Sequence, residues 1–289
     1  NGDWIEQLKT LDSESVQCCV TSPPYWGLRD YGVEGQLGLE KTPEEYVEKM
    51  VAGFREVKRV LRDDGTLWVN LGDSYAGSNQ GHGTKEMSAK QSSNTGTQWM
   101  CNKVLPRLPQ GTKPKDLIGI PWRVAFALQA DGWYLRQDII WSKPNPMPES
   151  VTDRCTKSHE YIFLLSKSAR YYYDQDSIRE PHKRLWDESN GGSVSTGRMV
   201  KCGGAMGDMS SHPKGYPLPN VLGANKRSVW IVNTQPYKEA HFATFPQEIP
   251  RTCILAGSKK GDTILDPFCG SGTTGEVALK LDRNFIGIE

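Results

Sequence analysis

What the sequence lacks already narrows the class of protein. Among its 289 residues, no uninterrupted apolar run approaches the roughly 18 residues of a membrane span, and we expect no signal peptide before Asn1. The seven cysteines form no C-x-x-C pair and are odd in number, which disfavours a disulfide framework and a zinc site. We therefore expect a cytoplasmic protein with reduced thiols, no membrane association and no metal.

An excess of charge of one sign is also missing. The 35 Lys and Arg residues nearly balance 34 Asp and Glu, for a formal net charge of +1, so no overall field marks a nucleic-acid-binding protein. Positive charge is concentrated instead in two segments, 77–115 with six basic residues against one acid, and 182–228 with seven against three. Both segments are longer than ordinary connections inside a domain. They are either solvated loops or segments that contact phosphates.

An acceptor-rich turn, TSPPYW, occupies residues 21–26 directly after the apolar run 16–20. That run predicts a buried strand, so the turn lies at a strand's end. Pro23 and Pro24 fix φ and lack N–H groups, which leaves backbone carbonyls that can only accept. With Ser22 and Tyr25 beside them, the turn could accept both protons of an aromatic amine while an aromatic face stacks on the ring. A plain proline turn between a strand and a loop explains the same six residues equally well.

A βαβ unit is predicted at the C-terminal end of the chain, in residues 260–289. Asp266 ends its first strand and Glu289 closes its second, 289 − 266 = 23 residues later, close to the spacing of about 20 in nucleoside-binding units. Its strand, glycine loop, helix and second strand are expected over residues 263–265, 270–272, 273–281 and 284–288.

The glycine loop of this unit also matches the G-x-G-x-x-G pattern of nicotinamide-binding folds, over residues 270–275. A dinucleotide would bring a pyrophosphate, which Asp266 repels, whereas S-adenosylmethionine brings an ammonium and a sulfonium, which an aspartate favours. Glu289 is placed to hold ribose hydroxyls. The charges therefore favour a methyl-donor site.

Both motifs resemble those of one enzyme family, the DNA amino-methyltransferases, which methylate the exocyclic amine of cytosine or adenine with S-adenosylmethionine. TSPPYW resembles their catalytic motif, and DPFCGSGTT, residues 266–274, resembles their cofactor motif. The resemblance implies catalytic roles in the turn and cofactor contacts in the C-terminal unit. The residues concerned are Ser22, Pro23, Pro24 and Tyr25 in the turn, and Asp266, Phe268, Gly270, Gly272, Thr273 and Glu289 in the unit.

Three further cofactor contacts are implied by the resemblance alone. The stretch WIVNTQPYKEAHFATFPQEIPRTCILA resembles the segment before the cofactor strand in this family, so Phe245 and Pro246 are expected beside the cofactor. Asp3 matches an acid that lies near the adenine, although a turn aspartate fits the opening Asn-Gly-Asp nearly as well. Asp73 and Lys143 lie in two other segments that resemble the family, and the sequence assigns them no role.

The order of the motifs is informative as well. The catalytic turn comes first, the basic segment 182–228 lies between, and the cofactor unit comes last. This order resembles the β group of these enzymes, whose target-recognition region lies between the two halves and whose fold is a circular permutation of the usual methyltransferase fold. We expect a catalytic half over residues 1–181 with the basic insertion 77–115, a target-recognition region over 182–228, and a cofactor-binding half over 229–289.

Strand and helix patterns alternate along the rest of the chain. Thr42 and Glu45 form a capping box with Pro43 between them, which predicts the start of a helix. Alternation of this kind predicts a doubly wound, mostly parallel, Rossmann-like α/β sheet, which binds ligands beyond the carboxyl ends of its strands. Helices are expected up to residue 61 and over 117–130, and strands over 66–71, 134–141, 160–166 and 171–173, the last two as a pair.

The chemistry that follows from the resemblance is methylation of an amine on an extruded base. No cysteine follows a proline, which excludes a cytosine-C5 enzyme because that reaction needs a Pro-Cys nucleophile. The base would leave the duplex and stack on Tyr25, with Ser22 Oγ and the Pro23 carbonyl accepting the amine protons. Serine at the first motif position is commoner among cytosine-N4 enzymes, so cytosine N4 is favoured and adenine N6 stays as the alternative.

Other interpretations stay open at this point. A catalytically inactive DNA-binding module would keep the cofactor fold, and RNA or a protein amide could replace DNA, since a related turn serves those substrates. The expected partner is double-stranded DNA in a bacterial, archaeal or phage setting. The sequence allows a homodimer without indicating one.

Overall fold

The computed structural model describes residues 2–28, 32, 35–76, 112–181, 222–234 and 246–289. They fall into two units, one made of residues 1–174 and 228–289 and the other of residues 175–227. The expectations for Phe245, and for most of the basic segments 77–115 and 182–228, lie outside the described residues. The domain division given above therefore stays a prediction.

A seven-stranded sheet organises the larger unit, in the order β5-β3-β4-β2-β1-β6-β7. Strand β4 runs antiparallel to its neighbours β2 and β3, and every other pairing in the sheet is parallel. The mostly parallel sheet predicted from the sequence is confirmed. The strands are β1 Val16–Thr21, β2 Leu61–Leu71, β3 Tyr134–Ser142, β4 His159–Ser166, β5 Val229–Ile231, β6 Thr263–Asp266 and β7 Asn284–Gly287.

Helices cover both faces of this sheet. Side chains alternate between the faces along each strand, so Cys19, Leu67 and Leu165 join the core beneath α1, α2 and α3. On the opposite face, α4 approaches so closely that a Cβ on Gly257 would lie 2.8 Å from Cys18 Sγ. The helices are α1 Trp4–Lys9, α2 Pro43–Val60, α3 Ile120–Ala130, α4 Glu248–Gly257 and α5 Thr273–Lys280.

The beginnings of α2 and α3 show how local sequence sets element boundaries. Thr42 Oγ1 accepts a hydrogen bond from the Glu45 amide at 3.1 Å, as the capping pattern predicted. Helix α3 begins three residues later than expected because Gly119 adopts φ +77°, a left-handed conformation that cannot continue a helix. Asp73, which follows β2, caps α3 from a distance: its Oδ1 accepts from the amides of Gly119 and Ile120 at 3.0 and 3.1 Å. Asp73 therefore has a structural role that the sequence did not assign.

Two predictions about strands are corrected by the structure. Residues 171–173 do not form a strand, and the antiparallel pairings of β4 are with β2 and β3 instead. The Tyr173 ring stacks near Trp68, with centroids 6.5 Å apart, so the tyrosines pack as aromatic side chains rather than extending the sheet. Strand β2 begins at Leu61 rather than at the expected Thr66, because Leu61 already pairs with Val16 of β1. The register then shifts, and the next pair is Cys18 with Thr66. The segment 62–65 is accommodated as an irregularity within the strand.

The carboxyl ends of β1, β2, β3 and β6 lie at one edge of the sheet. Strand β4 runs the other way and begins at that edge, where His159 pairs with Ser142 and Tyr161 with Leu71. Residues following four strands and opening a fifth therefore converge there. This edge is where a doubly wound sheet binds its ligands.

The smaller unit is described at residues 175–181 and 222–227. It contains a short 3₁₀ helix, Asp176–Ile178, and a bridge between Glu180 and Ala224. Arg227 donates to Glu180 Oε2 from two nitrogens at 2.6 and 2.8 Å. These contacts join residues that flank or begin and end the predicted recognition region, 182–228, whose role in target recognition stays a prediction.

Three structural findings concern membranes, metals and thiols. None of the helices in the described ranges is long and apolar enough to cross a bilayer. Within the same ranges, no group of three or more His, Cys, Asp or Glu side chains is placed to hold a metal ion. The cysteines that the structure describes are all free thiols: Cys18, Cys19, Cys155, Cys253 and Cys269.

Candidate active site

The two sequence motifs meet through a single buried carboxylate. Asp266, at the end of β6, accepts a hydrogen bond from Thr21 Oγ1, at the end of β1, at 2.7 Å. Thr274 Oγ1, in the first turn of α5, donates to the other carboxylate oxygen at 2.6 Å. The hydrogen bond to Thr21 thus connects Asp266 to the catalytic turn, because Ser22 is the next residue after Thr21.

Burial and hydrogen bonding act on Asp266 in opposite directions. The residue is 1% exposed, and loss of water raises the pKa of its carboxyl to about 6, although donation from Thr274, Thr21 and the Phe268 amide opposes the rise. The group is therefore largely ionised at neutral pH. Its oxygens accept hydrogen bonds from neutral donors only, so it places a negative charge at the start of the glycine loop that follows it.

The loop after Asp266 leaves open space where a ligand could lie. Gly270 and Gly272 have φ of +48° and +80°, and a Cβ on either would meet no atom within 4 Å. Gly275 serves a different purpose, because a Cβ there would lie 2.5 Å from the Phe285 ring and push α5 away from β7. Thr273 is the first residue of α5, and its hydroxyl lies 3.2 Å from that of Ser271. Each glycine therefore has the role that the G-x-G-x-x-G pattern gives it. Gly270 allows the tight turn, Gly272 leaves the loop open to a ligand, and Gly275 lets the helix pack against the strand.

Glu289 and Asp3 lie at the far side of this loop. Glu289 Oε2 accepts from the Gly270 amide at 2.6 Å, and its backbone carbonyl accepts from Gly2 at 3.2 Å, which brings the N-terminal residues alongside. Asp3 caps α1, with Oδ1 accepting from the amides of Ile5 and Glu6 at 3.0 Å. The cap is the turn role that the sequence offered as an alternative, and it leaves the second carboxylate oxygen for other contacts.

Phe268 and Pro246 occupy supporting positions around the loop. The Phe268 ring packs against Trp4 of α1 with centroids 4.6 Å apart, and so ties the loop to the N-terminal helix. Pro246 is buried, and its carbonyl accepts from the Ile249 amide at 3.0 Å, which starts the turn into α4. Phe245 lies outside the described residues, so its expected cofactor contact stays a prediction.

The catalytic turn is held by a polar cluster that the sequence did not reveal. Tyr25 Oη donates to Glu160 Oε2 at 2.7 Å and lies 3.4 Å from Ser22 Oγ. Asn70 Nδ2 faces all three groups, at 2.6 Å from Tyr25 Oη, 2.9 Å from Glu160 Oε2 and 3.3 Å from Ser22 Oγ. The carboxylate of Glu160 is in turn ion-paired with Lys143, whose ammonium lies 4.4 Å from the centre of the Trp141 ring. No sequence pattern connects Asn70, Glu160 and Lys143, because they come from three different strand ends.

The backbone of the turn differs between its two prolines. The Pro24 carbonyl accepts from Tyr46 Oη at 2.9 Å, whereas no described residue donates to the Pro23 carbonyl. Trp26 is 4% exposed and its indole donates to the Glu40 carbonyl at 3.0 Å, so it belongs to the core. The Tyr25 ring packs closely against Gly72, where a Cβ would come within 2.5 Å of the ring. The Pro23 carbonyl and the Ser22 hydroxyl are therefore both available to a ligand in this turn.

Comparison with known proteins shows what this edge of the sheet belongs to. The sequence model of a family described as DNA methylase, covering N6 and N4 methyltransferases, matches residues 16–289. The chain belongs to this DNA methylase family. The family's methyl donor is S-adenosylmethionine, and the expectation of that cofactor is confirmed.

The relatives of this DNA methylase cover its whole length. The Type II methyltransferase M.SmaI of Serratia marcescens is 50% identical over 288 residues, spanning 100% of this chain and 84% of that protein. The Type II methyltransferase M.Cfr9I of Citrobacter freundii is 49% identical over 288 residues, with 100% and 81% covered.

Solved structures confirm the fold of the methylase. The PvuII DNA methyltransferase, described as cytosine-N4-specific, aligns with a TM-score of 0.62 and 19% identity, over 100% of this chain and 79% of that one. A putative DNA modification methylase from Thermus thermophilus, complexed with S-adenosyl-L-methionine, aligns with a TM-score of 0.55 and 22% identity, over 100% and 87%. At these identities the likeness establishes the Rossmann-like methyltransferase fold.

The loop after Asp266, together with Glu289, forms what we call the Asp266 corner of this methylase, and its residues fit S-adenosylmethionine. The open glycine loop admits a ligand, the ionised Asp266 favours cationic groups, and Glu289 has a carboxylate oxygen available for hydroxyls. Of the residues expected around the cofactor, the structure gathers Asp266, Phe268, Gly270, Gly272, Thr273 and Glu289 on one loop and its flanks, with Asp3 nearby. Their individual contacts with the cofactor stay predictions.

Proposed function

We propose that this DNA methyltransferase transfers the methyl group of S-adenosylmethionine to the exocyclic N4 amine of cytosine in duplex DNA. The observation that carries the proposal is the pair of acceptors at the end of β1: the Ser22 hydroxyl, and the Pro23 carbonyl, to which no described residue donates. An exocyclic amine presents two hydrogens, and these two acceptors match them. Within the family that the sequence resembles, serine at this motif position is commoner among the cytosine-N4 enzymes.

The reaction requires the target base to leave the helix, because an amine inside a duplex is shielded by stacking and pairing. S-adenosylmethionine, when bound, supplies an electrophilic methyl group. Ser22 Oγ and the Pro23 carbonyl would accept the two amine hydrogens and draw the nitrogen towards tetrahedral geometry, which frees its lone pair. Tyr25 offers a ring for stacking, and close packing against Gly72 restricts the position of that ring.

Catalysis in this arrangement is positioning and electrostatics rather than base catalysis. A serine hydroxyl is too weak a base to remove the amine proton before transfer, so proton loss accompanies or follows methylation. No covalent enzyme intermediate is involved. Asp266 holds the end of β1 and the start of α5 together, so the acceptors and the cofactor loop share one rigid support.

The test is to incubate the protein with isotope-labelled S-adenosylmethionine and unmethylated genomic DNA, then digest the DNA to nucleosides for mass spectrometry. Label in N4-methylcytosine is the expected result. Label in N6-methyladenine would correct the base while keeping the mechanism, and label found only in added RNA or protein would overturn the DNA assignment. Ser22→Ala, assayed in parallel, identifies whether the product depends on this turn.

A further inference from the structure

The hydrogen bonds around the catalytic turn have a direction, and Glu160 sets it. A tyrosine hydroxyl has one hydrogen, and Tyr25 places it on Glu160 Oε2 at 2.7 Å. A carboxylate can only accept, so this bond cannot reverse. Burial, and the negative charge of Glu160, raise the pKa of Tyr25 well above its usual value, which keeps that hydrogen in place.

With its hydrogen committed, Tyr25 Oη can only accept from its other neighbours. Asn70 Nδ2 donates to it at 2.6 Å. The remaining contact, 3.4 Å to Ser22 Oγ, therefore has Ser22 as the donor. This separation is long for a hydrogen bond between hydroxyls, and such bonds in unliganded active sites commonly tighten when substrate binds.

The consequence for Ser22 is that its own hydrogen points towards Tyr25. Asn70 Nδ2, which lies 3.3 Å away, can occupy at most one lone pair of Ser22 Oγ, so at least one lone pair is left for an incoming donor. A base amine needs an acceptor there, so the orientation matches the reaction. If the chain of hydrogen bonds ran the other way, the serine hydrogen would compete for the same space as the amine hydrogens.

The ion pair with Lys143 explains how Glu160 can stay a charged acceptor in a confined position. The side chains of Glu160 and Lys143 are only 15% and 18% exposed, and a carboxylate so placed needs a partner. Asn70 is 3% exposed, and its Oδ1 has no partner among the described residues. A buried acceptor left unpaired is destabilising, which indicates that the cluster is arranged for function rather than for stability alone.

We propose that Glu160, held by Lys143, is a positioning residue for methyl transfer: it orients the Tyr25 hydroxyl as an acceptor, and thereby turns Ser22 into an acceptor for the base amine. This inference rests on the proposed role of Ser22 in the reaction. Glu160 touches neither base nor cofactor in this scheme, and it acts through Tyr25.

The decisive experiment is a double-mutant cycle between Glu160→Gln and Tyr25→Phe. A glutamine can donate to Tyr25 and so allow the chain of hydrogen bonds to reverse, and we expect kcat at saturating genomic DNA to fall about tenfold, within the usual coupling between neighbouring polar groups. The dissociation constant for S-adenosylmethionine, measured by calorimetry, should stay within about twofold. In the Tyr25→Phe background the same change should cost less than about twofold, because the link to Ser22 is already lost.

Two outcomes would overturn the inference. One is an unchanged kcat in Glu160→Gln, and the other is an equal loss of kcat in both backgrounds, which would mean that Glu160 acts independently of Tyr25. Asp131→Asn is the matched control, since Asp131 is also 15% exposed and paired with an arginine, Arg55, at the opposite end of β3. Its kcat should equal that of the wild type.

Lys143 provides a second approach if Glu160→Gln does not fold. Lys143→Arg keeps a cation beside Glu160 and should retain most of the wild-type kcat, whereas Lys143→Met should lower it about threefold, the size of a modest coupling. Equal activity in the two variants would contradict the role of the pair. Failure of the proposed function is recognised separately, because Ser22→Ala would then turn over like the wild type whatever the Glu160 variants do.

Discussion

Two carboxylates, the buried Asp266 and the partly buried Glu160, lie at the same edge of the sheet and are stabilised in different ways. Asp266 has three neutral donors, from Thr21, Thr274 and the Phe268 amide. Glu160 has a cation, Lys143, together with Tyr25 and Asn70. Among the described residues, Asp266 has no cationic partner, so its charge is not compensated. The charge of Glu160 is compensated by the adjacent ammonium of Lys143.

The difference shows what each corner of the site is built to do. An uncompensated charge beside an open glycine loop attracts a cationic ligand, so the Asp266 corner is suited to the methyl donor. A neutralised carboxylate exerts little field but still accepts hydrogen bonds in a fixed direction, so the Glu160 corner is suited to orienting hydroxyls. Variants at the first corner should therefore change cofactor affinity, and variants at the second should change kcat.

The largest effect is expected at the turn itself. Ser22→Ala removes an acceptor for the amine and should lower kcat about 100-fold, taking the loss of one preorganised hydrogen-bonding group as the guide. Affinity for S-adenosylmethionine should be unchanged, because Ser22 lies outside the cofactor loop. Steady-state kinetics and calorimetry measure the two quantities. A wild-type kcat in Ser22→Ala would remove the assigned role of the turn.

At the other corner, Asp266→Asn should weaken S-adenosylmethionine binding about tenfold, which corresponds to about 1.4 kcal/mol of lost attraction. At saturating cofactor, kcat should fall less than the affinity does. Asp262→Asn is the control, because Asp262 precedes the same strand and accepts from the Lys259 amide at 2.7 Å, away from the loop. Equal loss of affinity in both variants would show that the effect is structural rather than electrostatic.

The pH dependence of cofactor affinity follows from the same carboxylate. Because burial raises the pKa of Asp266 from 3.8 to about 6, about nine-tenths of the groups are protonated at pH 5. Affinity should then be about fivefold weaker than at pH 7, if protonation costs as much as the asparagine substitution. Asp266→Asn should show no such change between these pH values. A wild-type affinity that stays level from pH 7 to pH 5 would contradict the charge argument.

Linkage gives the stability of the fold the opposite trend. The native pKa of Asp266 lies above its unfolded value of 3.8, so the native state binds this proton more tightly. The contribution of Asp266 to the free energy of unfolding is therefore full below about pH 4 and is lost as the pH rises to about 6. Urea unfolding of the wild type and Asp266→Asn at these pH values should show their difference changing in that direction.

The smallest effect is expected for Thr21, which bonds to Asp266 and directly precedes Ser22. Thr21→Val removes the hydrogen bond to Asp266 and should lower kcat and cofactor affinity by about threefold each, within the range of a single neutral hydrogen bond. Thr10→Val is a matched change at an exposed position, where the hydroxyl donates only to the Gln7 carbonyl of α1. A change in kcat alone would show that Thr21 does not couple the two corners.

The motifs and the class of fold could be predicted from local sequence. Pro23 and Pro24 dictate an acceptor-rich turn wherever they occur, and the spacing from Asp266 to Glu289 reflects the fixed length of a βαβ unit. The start of α2 was predicted from Thr42 and Glu45, because a capping box depends on residues three apart. Gly119 shows the limit, since only its left-handed backbone explains why α3 begins at Ile120 rather than Leu117.

By itself, the sequence determined the family and its methyl donor, and it predicted the residues of the site, because each motif depends on side chains within a few positions of one another. Tertiary structure alone decided their partners: Asn70, Glu160 and Lys143 surround Tyr25 only because strands β2, β3 and β4 begin or end at one edge of the sheet. The same folding brings Thr21 to Asp266 across most of the chain length. Contacts between distant residues follow from strand order, and strand order is set by the packing of the whole sheet rather than by any short segment.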